Sequence, residues 1–198
     1  MGAAPKDGRA ARSYRARLAL AEALLDLVNE GIEQPTAVQI AERARVSLRL
    51  VFHHFEDLEA IYASAADLQI ERVRGMGKRI DPALPFEDRL QAFIRTRARV
   101  LEYVAPARRA SIRLESSSAE ISRRLRFAQE MTRTHTFQTF DPELKSLSGD
   151  EAAEVRAALD GVTSWEMWEF LRRRTELSVK QSCKIVERMI RTMLKGGK

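Results

Sequence analysis

The sequence predicts an all-helical protein, and three observations carry that expectation. Leu-, Ala-, Glu- and Arg-rich runs leave few Val/Ile/Thr alternations of the kind strands need, apolar residues recur at three- and four-residue spacing, and Ser or Thr stands ahead of several of those runs as a helix cap. With 198 residues, 44% of them hydrophobic, the chain is long and apolar enough for a sizeable core, arranged as one large or two small domains.

A first helix is expected from about Ser13 to Glu30, where Leu20, Ala23, Leu24, Leu27 and Val28 make one face and Gly31 supplies the stop. Two short helices follow between Gly31 and Tyr62. Thr36 caps the first by accepting a backbone N–H, and Ile40, Ala41 and Ala44 give it an apolar side. Ser47 caps the second only a few residues later. That helix is expected to turn Leu48, Val51, Phe52 and Phe55 inward and Arg49, Leu50, His53 and His54 outward. Two short helices and a tight turn have the layout of a helix-turn-helix, and the second is short enough for a DNA major groove. From Asp57 a longer helix runs through Ile61, Ala65, Leu68 and Val73 toward Gly75, Gly77 and the two-proline linker at 81–85.

The remainder reads as further helices separated at Pro106, at Ser116–Ser118, at Asp141-Pro142 and before Val179, for about nine in all. Ser117 with Glu120, Ser148 with Glu151 and Ser178 with Gln181 have capping-box spacing. Val155, Leu159, Val162, Trp165 and Trp168 form one apolar stripe, and Cys183, Val186, Ile190 and Met193 another. Two adjacent stripes of this kind make half of a four-helix interface, so Leu159, Val162, Val186, Met189, Ile190 and Met193 are the expected dimer contacts.

The net charge of +6 is compatible with a polyanionic partner. Its distribution is less specific: Lys6, Arg9, Arg12, Arg15 and Arg17 make residues 1–17 a basic arm, yet residues 172–198 are also basic, and a solvated helix face accounts for those. A single cysteine, Cys183, leaves no intramolecular disulfide to form, and no apolar run is long enough for a bilayer or a signal peptide. A soluble cytoplasmic protein is expected. No glycine-rich phosphate loop, nucleophile elbow or HExxH is present, and three dispersed histidines do not assemble a metal shell, so no enzyme activity, cofactor or metal is expected.

The ladder Leu20, Ala23, Leu24, Leu27 and Gly31, then Thr36, Ile40–Ala44, Val46-Ser47, Phe52 and His54-Phe55 before an acidic helix opening, resembles in order and spacing the TetR family of bacterial transcriptional regulators. The resemblance implies a DNA-binding helix-turn-helix domain over residues 1–60 with the basic arm 1–17, joined through helix 4 to a ligand-binding and dimerisation domain over 61–198. It implies a homodimer on a palindromic operator, a repressor that an unidentified small molecule releases by shifting helix 4. Half-sites would then lie about one helical turn, roughly 34 Å, apart. A ligand-independent architectural DNA binder of the same fold and a helical interaction module without DNA specificity are the alternatives. The acidic stretch Glu56–Glu59 suits the last of these.

Four positions depart from the family pattern: Arg45 stands where the turn usually has Gly, Arg49 where Gly is frequent, Phe52 in place of Tyr, and Leu58 in place of a backbone-contacting Lys. Expected DNA contacts are therefore Arg12, Thr36, Ser47, Leu48, Arg49, Phe52, His53 and His54, with Arg49 able to address guanine through a bidentate contact. In the second domain Phe93, Arg97, Phe127, Met131, Trp165 and Trp168 are candidate ligand contacts, although aromatics and Met at helical spacing also fill ordinary cores.

Overall fold

The computed structural model describes residues 8–77 and 79–195 as ten α-helices and one π-helical stretch, with no strand among them. The all-helical class is as expected. Lys6 and the start of the basic arm lie outside the described residues, as does the side chain of Arg9. The helices form two compact units, one of residues up to Gly75 with Pro106–Phe127, the other of Met76–Ala105 with the residues from Ala128 onward.

In the first unit, α1 spans Gly8–Asn29, starting earlier than Ser13 because Ala10 and Ala11 favour helix. It closes with Gly31 at φ 93°, whose N–H bonds Val28 O while Ile32 N–H bonds Leu27 O, the paired bonds of a Schellman cap. Helix α2 covers Ala37–Arg43. Its cap is a full box: Thr36 Oγ1 accepts from Gln39 N–H at 3.2 Å, and Gln39 Oε1 accepts from Thr36 N–H at 2.8 Å. A second Schellman pair ends α2, from Arg45 N–H to Glu42 O and from Val46 N–H to Ala41 O. Here the left-handed residue is Arg45, at φ 56°, at a conformational cost of about 1 kcal/mol.

Helix α3 runs Leu48–His54 from its Ser47 cap, and α4 runs Leu58–Met76 with Asp57 Oδ1 accepting from Ala60 N–H at 2.8 Å. Leu20, Leu24, Ile40, Val51, Phe55 and Ile61 form the centre of this unit's core, and Ala110 and Ile121 belong to the same cluster. Ion pairs tie the surface together, among them Arg43 with Glu30, Arg72 with Glu22, and Arg124 with Asp67.

Pro106 does not end a helix. Helix α5 continues from Phe86 to Glu115, losing only one backbone hydrogen bond at the proline, which tertiary packing on both sides outweighs. Helix α6, Ala119–Thr139, is capped by Ser118 and not by Ser117: Ser118 Oγ accepts from Ile121 N–H at 3.0 Å. The second unit continues with α7 (Asp141–Lys145) and α8 (Gly149–Val162). Ser148 precedes α8 without a side-chain cap bond to the backbone, whereas Ser178 and Gln181 form the complete box expected ahead of α10 (Val179–Lys195).

The stripe from Val155 to Trp168 is not one helix. Thr163 ends α8, turning its hydroxyl back to Leu159 O at 2.7 Å, and Ser164 caps a new helix, α9 (Trp165–Glu169), by accepting from Met167 N–H. A π-helical stretch, Phe170–Arg174, follows directly. Joining at Pro106 and dividing at 146–148 and 163–164 accounts for ten α-helices where about nine were expected. Phe93, Phe140, Leu90, Leu144, Leu159 and Ile190 centre this unit's core. Beside it Arg89, almost fully buried, holds Glu143 through two guanidinium bonds and also bonds Leu84 O and Thr139 O.

Candidate nucleic-acid interface

The helix-turn-helix presents its second helix with a narrow buried side. Val51 and Phe55 carry the packing, Leu50 and His54 are half-buried, and Arg49 and His53 are exposed. Leu48 and Phe52 correct the expectation of an inward stripe: they remain 39% and 55% exposed. A seven-residue helix buries only the positions facing its neighbours, and Leu48, Arg49, Phe52 and His53, at i, i+1, i+4 and i+5, occupy the opposite side. That outward set combines two apolar groups, one guanidinium and one imidazole.

Two helix starts sit in the same element. Thr36 and Ser47 are both exposed, with their side-chain oxygens engaged as caps, and the Thr36 hydroxyl also donates to Gln39 Oε1 at 3.1 Å. Ser47 leads directly into Leu48 and Arg49, and no acidic residue lies in the first turn of α3. Backbone N–H groups and positive potential at such a terminus favour phosphate. Val38 on α2, 49% exposed, was not anticipated; its position off the Ile40–Ala41–Ala44 side was the available signal.

His54 is held from the N-terminal side. Ser13 Oγ lies 3.4 Å from its Nδ1, and the His53 ring meets it edge-on at 5.1 Å. Burial, the neighbouring His53 and Arg17 push its pKa below the ordinary histidine value, so the ring is neutral at pH 7. Arg17 is itself placed over the Phe55 ring at 4.7 Å. Arg12, on the same helix, is exposed.

The acidic stretch after α3 is largely occupied. Asp57 caps α4, and the Glu59 carboxylate accepts from the Ser118 hydroxyl. Leu58 packs against the core of the unit.

The candidate ligand residues divide sharply. Arg97 and Trp168 line a small cavity in the second unit with Ile94, Leu101, Cys183 and Val186. Phe93 is fully buried and stacks on His135 at 5.7 Å, while Phe127 is a 46% exposed surface residue of the other unit beneath Arg74. Met131 and Trp165 are half-buried and do not line the cavity. Burial raises the Cys183 pKa, with Glu102 and Glu187 adding to the effect, so its thiol is kept protonated.

Four of the six expected dimer contacts turn inward within the second unit itself. Leu159, Val162, Val186 and Ile190 are at most 4% exposed because they fill the second unit's core, leaving Met189 exposed and Met193 half-buried. Among the described residues no cluster of His, Cys, Asp or Glu is placed to hold a metal ion, and no helix is long and apolar enough to cross a membrane.

No protein-family model matches the chain, and no curated protein does. Among solved structures it is similar to a transcriptional regulator from Rhodococcus sp. Rha1, with a TM-score of 0.68 and 19% identity over 91% of this chain and 96% of that one. The likeness therefore extends over nearly the whole of both chains, and at this identity it is a likeness of fold.

Proposed function

We propose that this protein is a sequence-specific, homodimeric DNA-binding transcriptional regulator of the TetR type, a repressor that a small molecule releases from a palindromic operator. The observation that carries the reading is the capped α3, whose outward side offers Leu48, Arg49, Phe52 and His53 together. Arg49 suits the acceptor edge of guanine and the apolar pair suits thymine methyls, while Thr36, Ser47, His54 and Arg12 suit phosphates. Residues 1–60 then form the reading domain and 61–198 the ligand and dimer domain of a cytoplasmic protein without enzymatic activity.

Charge on the second unit supports self-association. The exposed residues of α8 include Asp150, Glu151 and Glu154, followed by small Ala157, Ala158 and Gly161, whereas those of α10 include Lys180, Lys184 and Arg188. A two-fold axis bringing α8 of one protomer to α10 of its partner opposes these charges twice, with the small residues allowing close approach. Glu154→Lys should shift dimers to monomers by sedimentation, and adding Arg188→Glu should restore them; a dimer indifferent to both changes places the interface elsewhere.

Salt titration tests the DNA assignment. Affinity for a selected sequence should fall with a log–log slope of about −0.9 per phosphate contacted and exceed that for random duplex by at least about 1,000-fold. A shallow slope without sequence preference favours a helical interaction module, and a steep slope without preference favours an architectural binder.

A further inference from the structure

The second unit contains a half-buried cation, Arg97, that has no carboxylate in direct contact among the described residues. Arg97 Nε donates to Thr163 O at 2.8 Å and its Nη1 donates to Thr132 Oγ1 at 3.1 Å, both neutral acceptors. No ion pair engages Arg97 among the described residues. The charges of Asp160 and Glu166 act on it from outside ion-pair distance, and Asp160 is bound by Arg133 at 2.6 Å. Other sequestered arginines of the chain have carboxylates in direct contact: Arg89 has Glu143, and Arg124 has Asp67 and Glu120. Burial pulls the Arg97 pKa down to about 10, the signature of a guanidinium taken from water without full compensation, although it remains charged at pH 7.

Arg97 lines the cavity beside Ile94, Leu101, Val162, Trp168 and Val186, and it is the charged member of that lining. The cavity is small, about 10 Å³ and so room for about one water molecule, and an occupant must displace side chains to settle there. His135, one turn from Thr132 on α6, has a buried Nε2 with no hydrogen-bond partner. Burial and then the charge of Arg97 lower its pKa, so it adds no second positive charge. One cation among apolar walls matches a singly charged anion with an apolar body, whereas a phosphate dianion calls for more positive charge.

We infer that this cavity is the effector site and that its ligand is a small, largely apolar monocarboxylate whose carboxylate pairs with Arg97. The inference rests on the reading of the protein as a ligand-responsive regulator and names the ligand class for it. The carboxylate supplies the directly contacting counter-charge that Arg97 has from no side chain of its own unit, and Ile94, Leu101 and Trp168 cover the apolar body.

The test uses the full-length protein without DNA. Benzoate and hexanoate are titrated by calorimetry against their neutral counterparts benzamide and hexanol, with the wild type, Arg97→Gln and Arg97→Lys. The carboxylates should bind at least about tenfold tighter than the neutral counterparts, and Arg97→Gln should weaken them about 10- to 100-fold while changing the neutral ligands little. Arg97→Lys should fall between. Equal affinity for acid and amide, no carboxylate binding, or carboxylate binding unchanged in Arg97→Gln overturns the inference. If Arg97→Gln does not fold, the wild-type comparison of acid with amide decides. Operator selection run separately distinguishes the two readings: a selected operator released only by neutral compounds overturns the carboxylate and leaves the regulator standing, while carboxylate binding without any operator preference overturns the regulator.

Discussion

Replacing Phe52 with Ala separates a reading residue from a core residue. A buried Phe truncated to Ala costs about 3–5 kcal/mol of stability, whereas an exposed side chain away from special features changes stability by no more than about 0.5 kcal/mol. Phe52 is 55% exposed, on the side of α3 opposite Val51 and Phe55. A phenylalanine buries about 200 Å² when fully covered, so the exposed fraction leaves roughly 110 Å² for a partner. At about 25 cal/mol per Å² the ceiling is near 3 kcal/mol, and covering a third of that area gives about 1 kcal/mol. Operator affinity should therefore fall roughly fivefold to a hundredfold, while the urea midpoint moves little. Fluorescence anisotropy on a labelled operator and urea denaturation read the two quantities on one preparation. A large loss of stability would return Phe52 to the core, and unchanged operator affinity would remove it from the interface.

Arg49→Ala should lower operator affinity by about 1–3 kcal/mol and relax base preference at one position in each half-site; an equal loss on every sequence would make Arg49 a phosphate contact. Glu143→Gln removes the carboxylate from buried Arg89 and should cost about 3 kcal/mol in urea unfolding, since an uncompensated buried charge remains; a change below about 0.5 kcal/mol would contradict the pairing. Because burial and then Arg97 lower the His135 pKa, the unfolded chain takes up a proton before the folded one as pH falls. Stability attached to His135 is thus complete above the ordinary histidine range and is lost as pH drops through and below it, by at most about 1.4 kcal/mol per pH unit. His135→Phe, which keeps the stack on Phe93, should flatten the pH 7 to 5 stability profile relative to wild type; identical profiles would show that His135 does not titrate differently in the two states.

Local signals were the legible ones. Thr36, Ser47, Ser178 and Gly31 mark helix ends through bonds to residues within one turn, so their spacing in the chain is sufficient to read them. Arg45 was legible as an anomaly, and it does take the left-handed conformation. Pro106 was misleading because its penalty is local whereas the packing that keeps α5 helical comes from residues distant in sequence. Phe52 was misleading for a related reason. Leu48, Val51, Phe52 and Phe55 satisfy an apolar spacing, but which flank of that stripe is covered depends on where α1 and α2 lie against a helix of seven residues. The break at Thr163-Ser164 carried a readable signal, a Ser cap ahead of Trp165, hidden by an apolar stripe that continues in register across it. The cavity could not be read at all, since Arg97 meets Thr132 and Thr163 only through the packing of three helices.

The most direct test of the central claim is selection of binding sites from random duplex DNA by the purified full-length protein. One inverted repeat should be enriched, with half-sites about one helical turn apart, and that enrichment should be lost when Arg49 and Phe52 are both replaced by Ala. Recovery of no sequence above background, at low salt as well as physiological salt, would contradict it.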